Sequence, residues 1–99
     1  MQNVRVIWDL PDEENGNVRH IALHGLTPEE VDSVLRDPAT EAISKSSGLP
    51  VAFGYTNTNR FIMVVFEEWG TDEVYPVTAY DVPEEGKRHG KAKRKPRRS

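Results

Sequence analysis

Arg60-Phe61-Ile62-Met63-Val64-Val65-Phe66 decides how this chain folds. Six large apolar residues follow the arginine without a polar break, and Glu67-Glu68 closes them. A half-buried strand alternates apolar and polar residues, whereas a short unbroken run marks a strand covered on both faces. A helix is the competing reading. Two valines, an isoleucine and two phenylalanines favour the strand, because branched and aromatic side chains suit a pleated surface. Turn-forming residues bracket the run, Asn57-Thr58-Asn59 before it and Gly70-Thr71-Asp72 after it. The run is expected to be the central strand, against which the rest packs.

Downstream, Glu73 to Tyr80 predicts a last strand. Pro76 has no N–H to give a ladder, so that strand lies at an edge or carries a bulge there. Upstream, Val51 to Thr56 predicts a strand, Ser46 to Pro50 a turn, and Ala42 to Lys45 a weaker strand. Connections this short imply an antiparallel meander. Thr27-Pro28-Glu29-Glu30 opens a helix with a hydroxyl cap, proline at the first position and glutamate three residues after the cap. Val31, Val34 and Leu35 form its apolar stripe, and Asp37-Pro38 ends it. An earlier helix runs from Asn17 as N-cap to His24, with Val18, Ile21 and Ala22 as its stripe and Gly25 as the left-handed residue that stops it. Val4 to Trp8 is a first strand with Val4, Val6 and Trp8 on one face. The order predicts an α+β fold: two N-terminal helices on one face of a small antiparallel sheet, in a single domain over residues 1–85. Residues 86–99 are basic and lack large apolar side chains, so a disordered tail is expected there.

With 99 residues the chain has room for one modest core. It has no cysteine, which excludes a disulfide framework and a thiolate zinc site. No apolar run approaches the roughly 20 residues of a membrane helix, and Met1 to Arg5 lacks the pattern of a signal peptide, so a cytoplasmic protein is expected. The net charge of −3 conceals a division. All 16 acidic residues precede position 86, against five basic ones, while the other eight basic residues lie between Lys87 and Arg98. A body that acidic repels phosphates, and the tail attracts them.

Several short pieces, in order, resemble the BrnT family of bacterial toxin–antitoxin proteins, small members of the RelE-like fold. They are Trp8-Asp9, His24-Gly25-Leu26-Thr27 with Glu29-Glu30-Val31, Val34-Leu35, Asp37-Pro38, Phe53-Gly54-Tyr55-Thr56, and Asn59-Arg60 leading into the apolar strand. The resemblance spans roughly residues 4 to 80. It implies a β-α-α-β-β-β order and a metal-independent ribonuclease toxin of a type II system, with a ribbon-helix-helix antitoxin as partner and RNA as substrate. The chain departs from the family where the family is basic. Pro11 and an acidic loop stand where the family has a first-helix lysine. Glu67-Glu68-Trp69-Gly70 replaces an arginine-bearing turn, and Thr78-Ala79-Tyr80-Asp81 replaces a closing Ser-Ala-Arg. This is an acidic version of the scaffold, which suits an alternative role as a non-catalytic module that binds a basic protein.

His20 and His24 lie four apart on one helix face, with Asn17 a turn earlier. Metal-free RNA cleavage needs a base, an acid and cationic stabilisation, and His20, His24 and Arg60 are the candidates for those roles. The competing reading has His24 serving the helix C-terminus and His20 packing at the helix–sheet edge. A zinc site on the same pair needs a third ligand, for which only Asp9, Glu13 and Glu14 lie near in sequence, so no metal or other cofactor is assigned. Tyr55, Tyr75 and Tyr80 are either base-stacking or sheet-face residues. Trp69, at a strand end beside a turn, is either a partner anchor or a packing residue. The basic tail offers weak, salt-dependent association with nucleic acid or serves as a solubilising appendage.

Overall fold

The apolar run forms β4 (Phe61–Glu68), the middle strand of a five-stranded sheet. A computed structural model describes residues 4–83, and the expected disordered tail lies outside them. The other elements are β1 (Arg5–Val6), α1 (Asn17–Ala22), α2 (Pro28–Arg36), β2 (Thr40–Ile43), β3 (Pro50–Tyr55) and β5 (Glu73–Asp81). The fold is α+β, and the strands lie in the order β1-β5-β4-β3-β2.

Two expectations about the sheet are corrected. Four strands follow the helices, as the residues predict, where the order implied by the resemblance has three, giving β-α-α-β-β-β-β, with β2 beginning at Thr40 and wholly exposed. The sheet is also mixed. β2 to β5 form the antiparallel meander, but β1 runs parallel to β5, pairing Arg5 with Glu73 and Val6 with Val74. A parallel neighbour requires a long crossover, which both helices and three strands supply here. Pro76 pairs with Phe66 directly beside the register slip in β5 that separates this pairing from Val65–Thr78.

β4 is not covered equally on its two sides. Ile62, Val64 and Phe66 are buried with Ile21, Val31, Val34 and Leu35 in one core, and Val4, Val6 and Trp8 pack with them. Burying a side chain such as Phe66 contributes about 2–3 kcal/mol. Phe61 and Met63, on the opposite face, are only half buried. Both helices lie on the first face, so the second is covered by its own rings: Phe53 stacks on Phe61 at 6.5 Å and Tyr55 tilts onto it at 4.9 Å. Under α2 the backbones come close. A Cβ on Gly54 would stand 3.3 Å from Val34 Cγ1 and from the Ala39 nitrogen.

The helix corner follows its sequence signals in one half and departs in the other. Thr27 and Glu30 form the reciprocal capping box, with Pro28 in the first turn, and α2 stops before Asp37-Pro38. The expected Asn17–His24 helix is shorter, ending at Ala22, and Gly16 takes the cap position. Gly25 has φ +73°, and its N–H bonds the Ala22 carbonyl while the Leu26 N–H reaches Ile21. That pair of bonds ends the helix and turns the chain into α2. The expected stripe of Val18, Ile21 and Ala22 is replaced by Asn17 and Ile21, which are buried, while Ala22 is exposed.

Candidate functional site

Asn17 goes inward because two polar strands need it. Its Nδ2 donates to the carbonyls of Ile7, at 3.1 Å, and Pro76, at 3.0 Å, and its Oδ1 accepts from the Asp9 N–H at 2.9 Å. Asp9 returns the bond, its Oδ2 accepting the Asn17 N–H at 3.0 Å and so capping α1 from the segment that follows β1. The same oxygen accepts from the Tyr75 hydroxyl at 2.5 Å. Tyr75 is pushed up to about 12, first by that bond to Asp9, then by burial and by the charges of Asp9, Glu67 and Glu13. Asn17 therefore does not line the histidine surface.

His20 and His24 do share an exposed surface on the last turn of α1 and the corner after it, with ring centroids 6.1 Å apart. Tyr80, near the end of β5, brings its ring to 5.8 Å from that of His24. His24 does not cap the helix with its side chain; the backbone N–H groups of Gly25 and Leu26 do that work.

Arg60 reaches the underside of the same corner. It leaves the 56–60 turn, where Asn59 is left-handed at φ +69° and Thr56 Oγ1 accepts the Arg60 N–H at 2.9 Å. Its guanidinium forks onto Asp81 through Nε at 3.1 Å and Nη2 at 2.6 Å. Nη1 donates to the Gly25 carbonyl at 2.6 Å and Nη2 to the His24 carbonyl at 3.3 Å. Glu30 lies 3.6 Å away, and the Arg60 side chain is 31% exposed. The bond to Asp81 raises Arg60 above its ordinary value and holds Asp81 below its own. Glu30 is also lowered, first by the Thr58 hydroxyl, then by the Thr27 backbone and Arg60.

The three predicted residues thus meet at one corner, but not as three free groups. Two imidazoles stand outside, and beneath them the guanidinium has already spent its charge on two carboxylates and its donors on two helix-end carbonyls. A phosphate at Arg60 must displace Asp81, a bidentate partner of the strong, charge-assisted kind. Among the described residues the other cations lie elsewhere: Arg5 on Glu73, Arg36 on the Val4 carbonyl, Arg19 toward the Pro11 carbonyl and Lys45 in the β2–β3 turn. No three histidine, aspartate or glutamate side chains among the described residues come together as metal ligands, and Asp9 is already bonded to Asn17 and Tyr75.

At the other end of β5, Trp69 is 54% exposed. Its indole lies flat on Tyr75, with centroids 4.6 Å apart and planes 4° from parallel, and its Nε1 donates to Glu67 at 2.8 Å. Comparisons with models of known protein families, with characterised proteins and with solved structures find no match to this chain.

Proposed function

We propose that this chain is the toxin-like member of a type II toxin–antitoxin pair, of RelE-like type and cytoplasmic, which acts by binding a basic protein partner rather than by cleaving RNA. The observation that carries the reading is the saturation of Arg60 by Asp81, Glu30 and the Gly25 and His24 carbonyls. A ribonuclease of this kind needs a cation free to meet the extra negative charge of the phosphodiester transition state. The acidic body adds to this, since it disfavours RNA and favours a cationic protein such as the arm of a ribbon-helix-helix antitoxin. No described helix is long and apolar enough to cross a membrane. The test is to purify the tagged full chain at low salt after coexpression with the product of the adjacent reading frame. A stoichiometric complex that falls apart in high salt is expected. Absence of any complex at low salt rejects the reading.

The exposed His20–His24–Tyr80 cluster favours a second reading, ribonuclease activity centred on His20 and His24 with Arg60 beneath them. Induced expression without the neighbouring protein decides it. Growth arrest with RNA cleavage that disappears in His20→Ala and His24→Ala supports the enzyme. Cleavage that survives both substitutions removes it.

A further inference from the structure

Trp69 is held by three contacts and is still 54% exposed. Its backbone N–H donates to the Glu73 carbonyl at 2.8 Å, and its indole N–H donates to Glu67. One face of the ring is covered by Tyr75, whose hydroxyl is itself anchored on Asp9. What remains exposed is the other π-face, in an orientation set before any ligand arrives. Pre-set rings bind without the usual cost of freezing a side chain.

The surroundings select the ligand. The Glu67 carboxylate lies against the indole N–H, and the raised Tyr75 records the negative field of Asp9, Glu67 and Glu13 at the same place. Among the described residues the cation at this end is Arg5, whose exposed guanidinium meets Glu73 at 3.4 Å. A π-face beside a carboxylate attracts a guanidinium or ammonium group twice, through the ring quadrupole and through charge. It repels a nucleic-acid backbone by the same charge, so a base stacking on Trp69 is disfavoured although the ring could accept one.

We propose that the free face of Trp69, with Glu67 as counter-charge, is a docking point for an arginine or lysine side chain of a protein partner. This rests on the protein-binding reading above and adds a place and a chemistry to it. An arginine laid flat on the indole keeps its edge N–H groups free for a flanking carboxylate, which is a reason for arginine to bind better than lysine.

Calorimetric titration of the full chain with a short arginine–glycine peptide tests this, beside the same peptide with citrulline in place of arginine. The arginine peptide should bind with a strong salt dependence and the citrulline peptide at least tenfold more weakly. Trp69→Ala should weaken the arginine peptide about three- to fivefold, the effect of one exposed cation–π contact, and Glu67→Gln should do so by a smaller factor. Circular dichroism confirms that each variant is folded, and both positions are exposed enough to tolerate the change. If the peptide binds and Trp69→Ala leaves its affinity unchanged, the docking point is wrong while the protein-binding reading stands. If neither peptide binds the wild-type chain at low salt, both fall. Equal binding of the citrulline peptide, or tighter binding of single-stranded RNA than of the arginine peptide, also overturns the assignment.

Discussion

The two ends of β5 treat negative charge in opposite ways. At the Asp81 end a carboxylate is matched to Arg60 in a bidentate pair, and the same guanidinium ties down two carbonyls of the helix corner. At the Glu73 end, Asp9, Glu67 and Glu13 act on Tyr75, on which Trp69 stacks, and the described cation there, Arg5, is exposed and paired with Glu73. One end pairs its carboxylate with a guanidinium that also ties the helix corner; the other has more carboxylates than cations beside two stacked rings. Residues that look alike in sequence, an arginine before a strand and a tryptophan after it, therefore have unlike prospects of meeting a ligand.

Substitution should expose that contrast in graded steps. Asn17→Ala leaves two carbonyls and one N–H without partners between β1, α1 and β5, and should cost about 3 kcal/mol in urea unfolding. Arg60→Met should cost about 2 kcal/mol, because Glu30 and Asp81 lose their cation and the corner carbonyls their donors. Trp69→Ala should cost less than about 1 kcal/mol, the worth of one exposed aromatic pair. A larger loss at Trp69 than at Arg60 would reverse the contrast and make the tryptophan the structural residue.

Acid and alkali probe the same two ends. Glu30 and Asp81 have folded values below their ordinary 4.5 and 3.8, so both bind protons more readily when unfolded. Their stabilisation is complete above about pH 5 and is lost as the pH falls through the depressed folded values. Arg60→Met should flatten that acid limb of a stability–pH curve, and an unchanged limb would mean that other carboxylates carry it. Tyr75 shifts the other way. Raised from 10.0 to about 12, it keeps its proton in the folded state after the unfolded state has lost it. Its contribution is whole below pH 10 and disappears as the pH climbs toward 12. Phenolate absorbance should show one tyrosine ionising near pH 12, missing in Tyr75→Phe and moved down in Asp9→Asn.

Much of this was legible beforehand, for reasons that can be located. The branched and aromatic run at 61–66 favours an inner strand over a helix, and the Thr27 to Glu30 box, the left-handed Gly25 and the slipped register beside Pro76 are local features with local causes. The β1–β5 pairing was not legible, because nothing near Arg5 or Glu73 encodes a partner 68 residues away. Asn17 misled for a similar reason. Its type suits a helix cap, but a tertiary demand from the Ile7 and Pro76 carbonyls drew it inside and left the capping to Asp9. Of the candidate site, the structure brings His20, His24 and Arg60 to one corner. What stayed hidden was Arg60's occupancy, since Asp81, Glu30 and Thr58 looked like a strand end, a capping residue and a turn. Trp69 stood out by its position beside the turn, and only its stacking on Tyr75 shows which face is left over.

The parallel union of β1 with β5 also sets a timetable. Val4, Val6 and Trp8 belong to the core, yet their strand has no neighbour until Glu73 and Val74 have been synthesised. Contacts so distant along the chain are slow to form. On the ribosome the helices and the β2–β4 ribbon can assemble early, while the first strand waits, sticky and unpaired, for the last one to arrive.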